Sequence, residues 1–82
     1  MKHVPYTRVA ARVLRKHRNM APRIMAKVED YAVNPNAFAN VVTEMVGKDY
    51  RRLRVGDFRV LFRETATEVI VLDVGPRGGI YE

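Results

Sequence analysis

Cysteine is absent from this chain of 82 residues, so disulfides and thiolate chemistry are excluded and a reducing compartment is permitted. The two histidines, His3 and His17, stand apart and do not make a metal site, so each is expected to be structural. No apolar run approaches the roughly 18 residues that a membrane span requires, and the N-terminus lacks the apolar region of a signal peptide. A cytoplasmic address without a membrane partner is expected. Acidic residues are also scarce: 9 Asp and Glu stand against 15 Lys and Arg, for a formal net charge of +6. Such a surplus sets up a positive field that attracts polyanions and speeds their encounter. The length allows one domain, spanning 1–82, that buries only roughly 60–65% of its unfolded surface. Its stability is therefore small, or borrowed from a partner.

What is present divides into a helical first half and a strand-rich second half, with no repeat and no low-complexity linker. Lys2 to Tyr6 reads as a short extended segment with Val4 and Tyr6 on one side. Thr7 then stands where a helix N-cap accepts a backbone hydrogen bond. The helix that follows runs to about Arg18. Its apolar stripe is Val9, Ala10, Val13, Leu14 and His17, and Arg8, Arg12 and Arg15 recur along its solvent side. Pro22 suits the first turn of a second helix, in which Ile24, Val28 and Tyr31, flanked by Met25 and Ala32, repeat at helical spacing as far as Val33. Asn34-Pro35 ends it, because proline pushes the preceding residue out of the helical region. The two helices form a hairpin with one shared apolar side. Asn36 to Gly47 fits a short helix through Phe38, Val41, Val42 and Met45, or a strand through Val41, Thr43 and Met45; loop followed by strand is preferred.

From Tyr50 the period becomes two. Leu53 and Val55 alternate with Arg52 and Arg54; Phe58, Val60 and Phe62 alternate with Arg59, Leu61 and Arg63; Val69 to Val74 is a nearly continuous apolar run. Gly56-Asp57 suits a tight hairpin and Thr65 to Thr67 a second turn, so the strands form an antiparallel meander. The expected fold is α+β: an N-terminal strand and an α-helical hairpin packed on one face of a largely antiparallel twisted sheet of about four strands. The opposite face is left to Arg52, Arg54 and Arg59.

A lone arginine on an exposed sheet face does no more than keep a protein soluble. A cluster followed by Gly75-Pro76-Arg77-Gly78-Gly79-Ile80-Tyr81 has chemical scope, since glycines there permit backbone angles that let Arg77 and Tyr81 fold back towards the same face. No metal-ligand set, cysteine or Ser/His/Asp constellation is present, and no cofactor is implied. Cleavage of a phosphodiester by the RNA's own 2′-hydroxyl fits these residue types. It needs alignment, stabilisation of negative charge on phosphorus and proton transfer at each end. Arginine supplies charge and a forked donor, and Tyr81, among guanidinium groups that favour phenolate, is the candidate for proton transfer, with Glu82 a second choice.

The run Arg52-Leu53-Arg54-Val55-Gly56-Asp57-Phe58-Arg59-Val60-Leu61-Phe62, followed by Val74-Gly75-Pro76-Arg77 and Tyr81, resembles the RelE/ParE superfamily of small bacterial toxins, in particular its RelE-like mRNA-cleaving branch. The resemblance implies a RelE-like fold. It also implies that Arg59 and Arg77 contact the scissile phosphate, that Tyr81 acts in proton transfer or base stacking, and that Arg52, Arg54 and Lys48 hold the RNA backbone. The implied partners are mRNA on the ribosome, cut in the decoding site, and a cognate antitoxin whose acidic or helical segment neutralises the toxin in a hetero-oligomer. Many members carry a histidine where this chain has Pro76, so a mechanism using that histidine does not apply. Two other readings are a gyrase-directed toxin of the ParE-like branch without nuclease chemistry and a non-catalytic basic nucleic-acid-binding module.

Overall fold

The computed structural model describes residues 2–76. Thr7 is extended (φ −68°, ψ 164°), and its hydroxyl accepts a hydrogen bond of 3.1 Å from the Ala10 N–H while donating one of 2.7 Å to the Leu72 carbonyl. One side chain thus caps the first helix and ties its start to a strand. That helix, α1, spans Arg8–Lys16 and buries Ala10 and Leu14. Val9, expected on the apolar stripe, is 55% exposed. Ala10 and Leu14 fix the buried line, and Val9 lies one residue, or about 100°, round the helix from it. The helix also stops before Arg18. His17 leaves helical geometry at ψ 61°, its ring meets Phe58 edge-on at 4.9 Å, and its carbonyl accepts from the Met20 and Ala21 N–H groups.

The second helix, α2, spans Ala21–Val33 with Pro22 in its first turn. Asn34, at φ −141° ahead of Pro35, ends it. A 3₁₀ turn at Pro35–Phe38 follows, and the segment that read ambiguously resolves into that turn and a short strand, β1, Val42–Glu44. The strands β2 (Arg51–Val55), β3 (Phe58–Glu64) and β4 (Val69–Pro76) complete an antiparallel meander in the order β1-β2-β3-β4. Gly56 turns β2 into β3 with φ +58°, and no non-glycine residue in the described chain has positive φ, so only the first central position of the hairpin is left-handed. This is the geometry in which a glycine is required.

Leu53 pairs with Val60 and Val55 with Phe58, which sets the apolar residues of β2 and β3 on one face. Along β4 the register shifts between the partners of Leu61 and Phe62, so that Val74 pairs with Val60 whereas Val71 pairs with Phe62. Strict alternation would turn Val71 and Val74 to opposite faces; the extra residue of the bulge lets both join the core. The outer edge of β4 is covered by the N-terminal segment, which runs parallel to it through hydrogen bonds from the N–H groups of His3, Val69, Val71 and Thr7. Pro5 lacks an N–H and contributes only its carbonyl, so the pairing is confined to isolated bridges at His3 and Tyr6.

Helix α1 packs chiefly on β4 and α2 on β2. Between the helices and the sheet lie Ile24, Val28, Leu53, Val55, Val60, Phe62, Val69 and Val71, each at most 1% exposed. Truncating Leu14 or Ile24 to alanine in so small a core costs about 2–5 kcal/mol.

Candidate nucleic-acid interface

Because side chains alternate along a strand, burying Leu53, Val55, Val60 and Phe62 forces Arg52, Arg54 and Arg59 to the other face of the sheet. Arg54 and Arg59 are direct cross-strand partners. Like charges placed opposite one another disfavour a sheet unless other groups offset them, and the Asp57 carboxylate lines a second small pocket with both arginines. Beside them Arg52 faces Thr43 of β1 on one side and Leu61 of β3 on the other. The three arginines share a small cleft of about 90 Å³ with Asn40, Val41 and Thr43. Across β3, Arg59 pairs with Gly75, which has no side chain to cover it. Asp73, the carboxylate of β4, turns Oδ1 onto the Val74 N–H at 2.8 Å. The result is a shallow guanidinium cluster, suited to a phosphate oxygen through charge and forked donors.

Of the residues singled out from the sequence, Arg52, Arg54 and Arg59 meet here. Lys48 stands elsewhere, in the β1–β2 loop, where it lines a different cleft with Glu44, Asp49, Tyr50, Arg51 and Glu64. Arg77 and Tyr81 lie outside the described residues. Asn40 and Thr43 were not found from the sequence, because a preference for loop followed by strand does not say which strand the segment pairs with, and only its pairing with β2 places them beside Arg52 and Arg54. Among the described residues no three His, Asp or Glu side chains converge as metal ligands would.

Arg51, one residue from Arg52, has a different fate. It faces the helical side, where Nη1 donates to Glu64 Oε1 at 2.9 Å and Nη2 to Glu44 Oε1 at 3.4 Å. Glu64 also accepts from Lys2 Nζ at 2.7 Å and from the Tyr31 hydroxyl at 2.6 Å. Burial alone would raise the pKa of Glu64, but these donors and the charges of Lys2 and Arg51 outweigh it and hold the carboxyl below its ordinary value. Burial and the bond to Glu64 push the Tyr31 phenol up. The Glu64 carboxylate joins the N-terminal segment, α2 and β2 to β3, and Arg51 extends the corner to β1 through Glu44.

The family model for the ParE toxin of type II toxin–antitoxin system, parDE, matches residues 2–81. The chain belongs to the ParE toxin family. Within the wider RelE/ParE superfamily the toxin resembles solved structures over nearly its whole length. A chain of the toxin–antitoxin complex RelBE2 from Mycobacterium tuberculosis is 28% identical, with 93% of this chain and 98% of that one covered at a TM-score of 0.64. A chain of the archaeal RelE–RelB complex from Pyrococcus horikoshii OT3 is 21% identical, with 94% and 96% covered at 0.69. YafQ from E. coli is 14% identical, with 93% of each chain covered at 0.59. These last two likenesses speak for the fold, two helices on a four-stranded antiparallel sheet. No curated protein matches the chain.

Two further surfaces of the toxin lie on its helical side. Between α1 and α2 an open groove of about 720 Å³ has Leu14, Ala21, Pro22 and Met25 in its lining and Tyr6 among its lining residues. The Tyr6 hydroxyl is buried without a hydrogen-bond partner among the described residues. Burial, and secondarily the charge of Glu29, push its pKa up to about 12. The back of α1 carries Arg8, Arg12 and Arg15, all exposed. Arg8 sits in the first turn, which holds no acidic residue. A cation at the positive end of a helix dipole costs about 0.3–1 kcal/mol, and like charges at i, i+4 spacing cost roughly 0.2–0.5 kcal/mol per pair. Among the described residues no helix is long and apolar enough to cross a membrane.

Proposed function

We propose that this toxin is a metal-independent endoribonuclease that cuts mRNA on the ribosome through attack by the RNA's 2′-hydroxyl. The observation that carries the reading is the Arg54–Arg59 cross-strand pair with Arg52 around one cleft. Three guanidinium groups around one cleft offer a phosphate both charge and several forked donors, whatever other contacts each of them makes. In the proposed mechanism Arg59 and Arg77 hold the non-bridging oxygens of the scissile phosphate and stabilise the charge that builds there. Arg52 and Arg54 fix the flanking backbone, with Lys48 an outlying contact. Tyr81, as phenolate, takes the 2′-hydroxyl proton, the 2′-oxygen bonds to phosphorus as the bond from phosphorus to the 5′-oxygen breaks, and that oxygen leaves as a hydroxyl with a proton from solvent, giving a 2′,3′-cyclic phosphate. The RelE–RelB complexes among the structural relatives support a cognate antitoxin as protein partner. We place an apolar segment of it in the α1–α2 groove, where a carbonyl could accept from the Tyr6 hydroxyl.

The test is single-turnover cleavage of ribosome-bound mRNA by wild type, Arg59→Lys, Arg77→Lys and Tyr81→Phe. Lysine keeps the charge but not the planar fork, so both substitutions should remove most activity. Tyr81→Phe removes only a hydroxyl, and a loss of about 10²–10⁴-fold is expected of a positioned acid or base. Wild-type toxicity in all three variants would end the nuclease reading. The family match to ParE favours one second reading, a gyrase-directed toxin without nuclease chemistry. Its signature is inhibition of purified gyrase by a toxin that leaves ribosome-bound mRNA intact.

A further inference from the structure

The surplus of positive over negative charge in the toxin lies away from the proposed cleavage site. Every acidic residue stands at Glu29 or beyond, whereas eight of the 15 Lys and Arg precede it. The rest of the chain then holds seven cations against all 9 acids, so the surplus of +6 belongs to the helical part. On α1 the sides are sharply divided. Ala10 and Leu14 are buried against the sheet, and Arg8, Arg12 and Arg15 are exposed on the opposite side, about half a turn away. None of these three arginines is in an ion pair or hydrogen bond among the described residues. A rise of 1.5 Å per residue sets them at intervals of about 6 and 4.5 Å along the axis. The spacing offers a row of forked donors to successive phosphates, and arginine is the residue suited to that interaction.

The two cationic surfaces point in opposite directions. Helix α1 lies on the inner face of the sheet, against β4, and Arg52, Arg54 and Arg59 project from the outer face. The shortest dimension of the molecule is 23 Å. A short single strand of RNA bound in the sheet cleft cannot also reach the back of α1, but a folded RNA with a cleft of its own can surround the protein and touch both sides.

We infer that the Arg8–Arg12–Arg15 stripe is a second, non-catalytic binding surface for the phosphate backbone of a folded RNA. The inference rests on the proposed RNA target and assigns to α1 the contacts that hold the toxin in a structured RNA while the sheet face holds the strand to be cut. An anion along the stripe offsets the repulsion within it, which explains why a helix with no acidic residue carries an arginine in its first turn.

The experiment measures binding of the full chain to purified small ribosomal subunits and, separately, to a short unstructured RNA, each across a range of salt concentrations. Arg8→Gln/Arg12→Gln is compared with wild type and with Arg8→Lys/Arg12→Lys. These two positions are exposed and do not line the groove, and thermal melting should show the glutamine variant as stable as wild type or slightly more so. Removing one arginine–phosphate interaction reduces the slope of log affinity against log salt by about 0.7–0.9. The glutamine variant should therefore lose roughly 1.4–1.8 from its slope on the subunits, with the short RNA unaffected and the lysine variant, which keeps both charges, holding the wild-type slope. An unchanged slope on the subunits, or an equal decrease on both RNAs, overturns the proposal. So does a variant that binds subunits normally but no longer co-purifies with its antitoxin, which would assign the stripe to an acidic protein segment. Failure of the cleavage reading shows instead as wild-type toxicity of Arg59→Lys, with the subunit slopes left intact.

Discussion

Arg51 and Arg52 are neighbours in sequence, and the sheet separates them into two kinds of surface. At the Arg51 corner three cationic or hydroxyl donors converge on Glu64, whose side chain is 14% exposed, and every charge has a partner of opposite sign. At the Arg54–Arg59 cleft two guanidinium groups face each other across a strand pair. A balanced network at the margin of the core contributes to stability, whereas three arginines gathered at one cleft, with Asp57 the acid that shares a lining with Arg54 and Arg59, give a surface where cations outnumber acids and an anionic ligand is favoured. Residue type does not separate structural from functional arginine here. The sign of the surroundings does.

The comparison breaks first at Arg59. Arg59→Gln should lower cleavage of ribosome-bound mRNA by about 10²–10³-fold, the usual scale for removing one charge-stabilising donor; a comparable decrease from Arg51→Gln, measured on folded protein, would erase the distinction. Glu64→Gln should act the other way. It leaves cleavage by the folded fraction intact but removes the carboxylate charge and turns one of the two oxygens that accept from Lys2, Tyr31 and Arg51 into a donor, at a cost of about 1–3 kcal/mol. For a domain of this size each kcal/mol lowers the melting temperature by roughly 4–8 °C.

Acid should report the same corner. The Glu64 carboxyl is held below its ordinary value in the folded state, so the folded protein binds a proton there less readily than the unfolded chain does. Its contribution is fully present above the unfolded carboxyl's pKa of about 4.3 and is lost as pH falls through the lower folded value. Melting followed from pH 6 to pH 3 should show a drop in that window that is smaller in Glu64→Gln; identical acid profiles would remove Glu64 from its central place. The smallest effect belongs to Arg54→Gln, which relieves a like-charged pair. Its melting temperature should stay level or rise slightly, within roughly 1 kcal/mol, while RNA affinity and its salt slope both fall.

Much of this layout was legible in the residues. Thr7 as a cap, Pro22 as a helix start, Asn34-Pro35 as a stop and Gly56-Asp57 as a hairpin each act through backbone preferences that need no distant partner. The period of two from Arg52 to Phe62 placed Arg52, Arg54 and Arg59 on one face, since burying one set of alternate side chains exposes the other. Three features were not legible. The position of Val9 outside the core depended on how α1 rolls against β4. The preference for loop followed by strand between Asn36 and Gly47 agrees with the strand at Val42–Glu44, but the place of Asn40 and Thr43 beside the arginines depended on pairing with β2. The Glu64 corner joins residues up to 62 positions apart.

The sequence by itself determined the element types, the turns and the two-sided character of the sheet, because propensity, capping and alternation are local. Only the tertiary structure decided that Val71 and Val74 share the core through a bulge, that Arg51 is neutralised while Arg54 is not, and that the α1 arginines face away from the cleft. Those outcomes depend on register and on which helix covers which strand, and both are set by packing between segments distant in the chain.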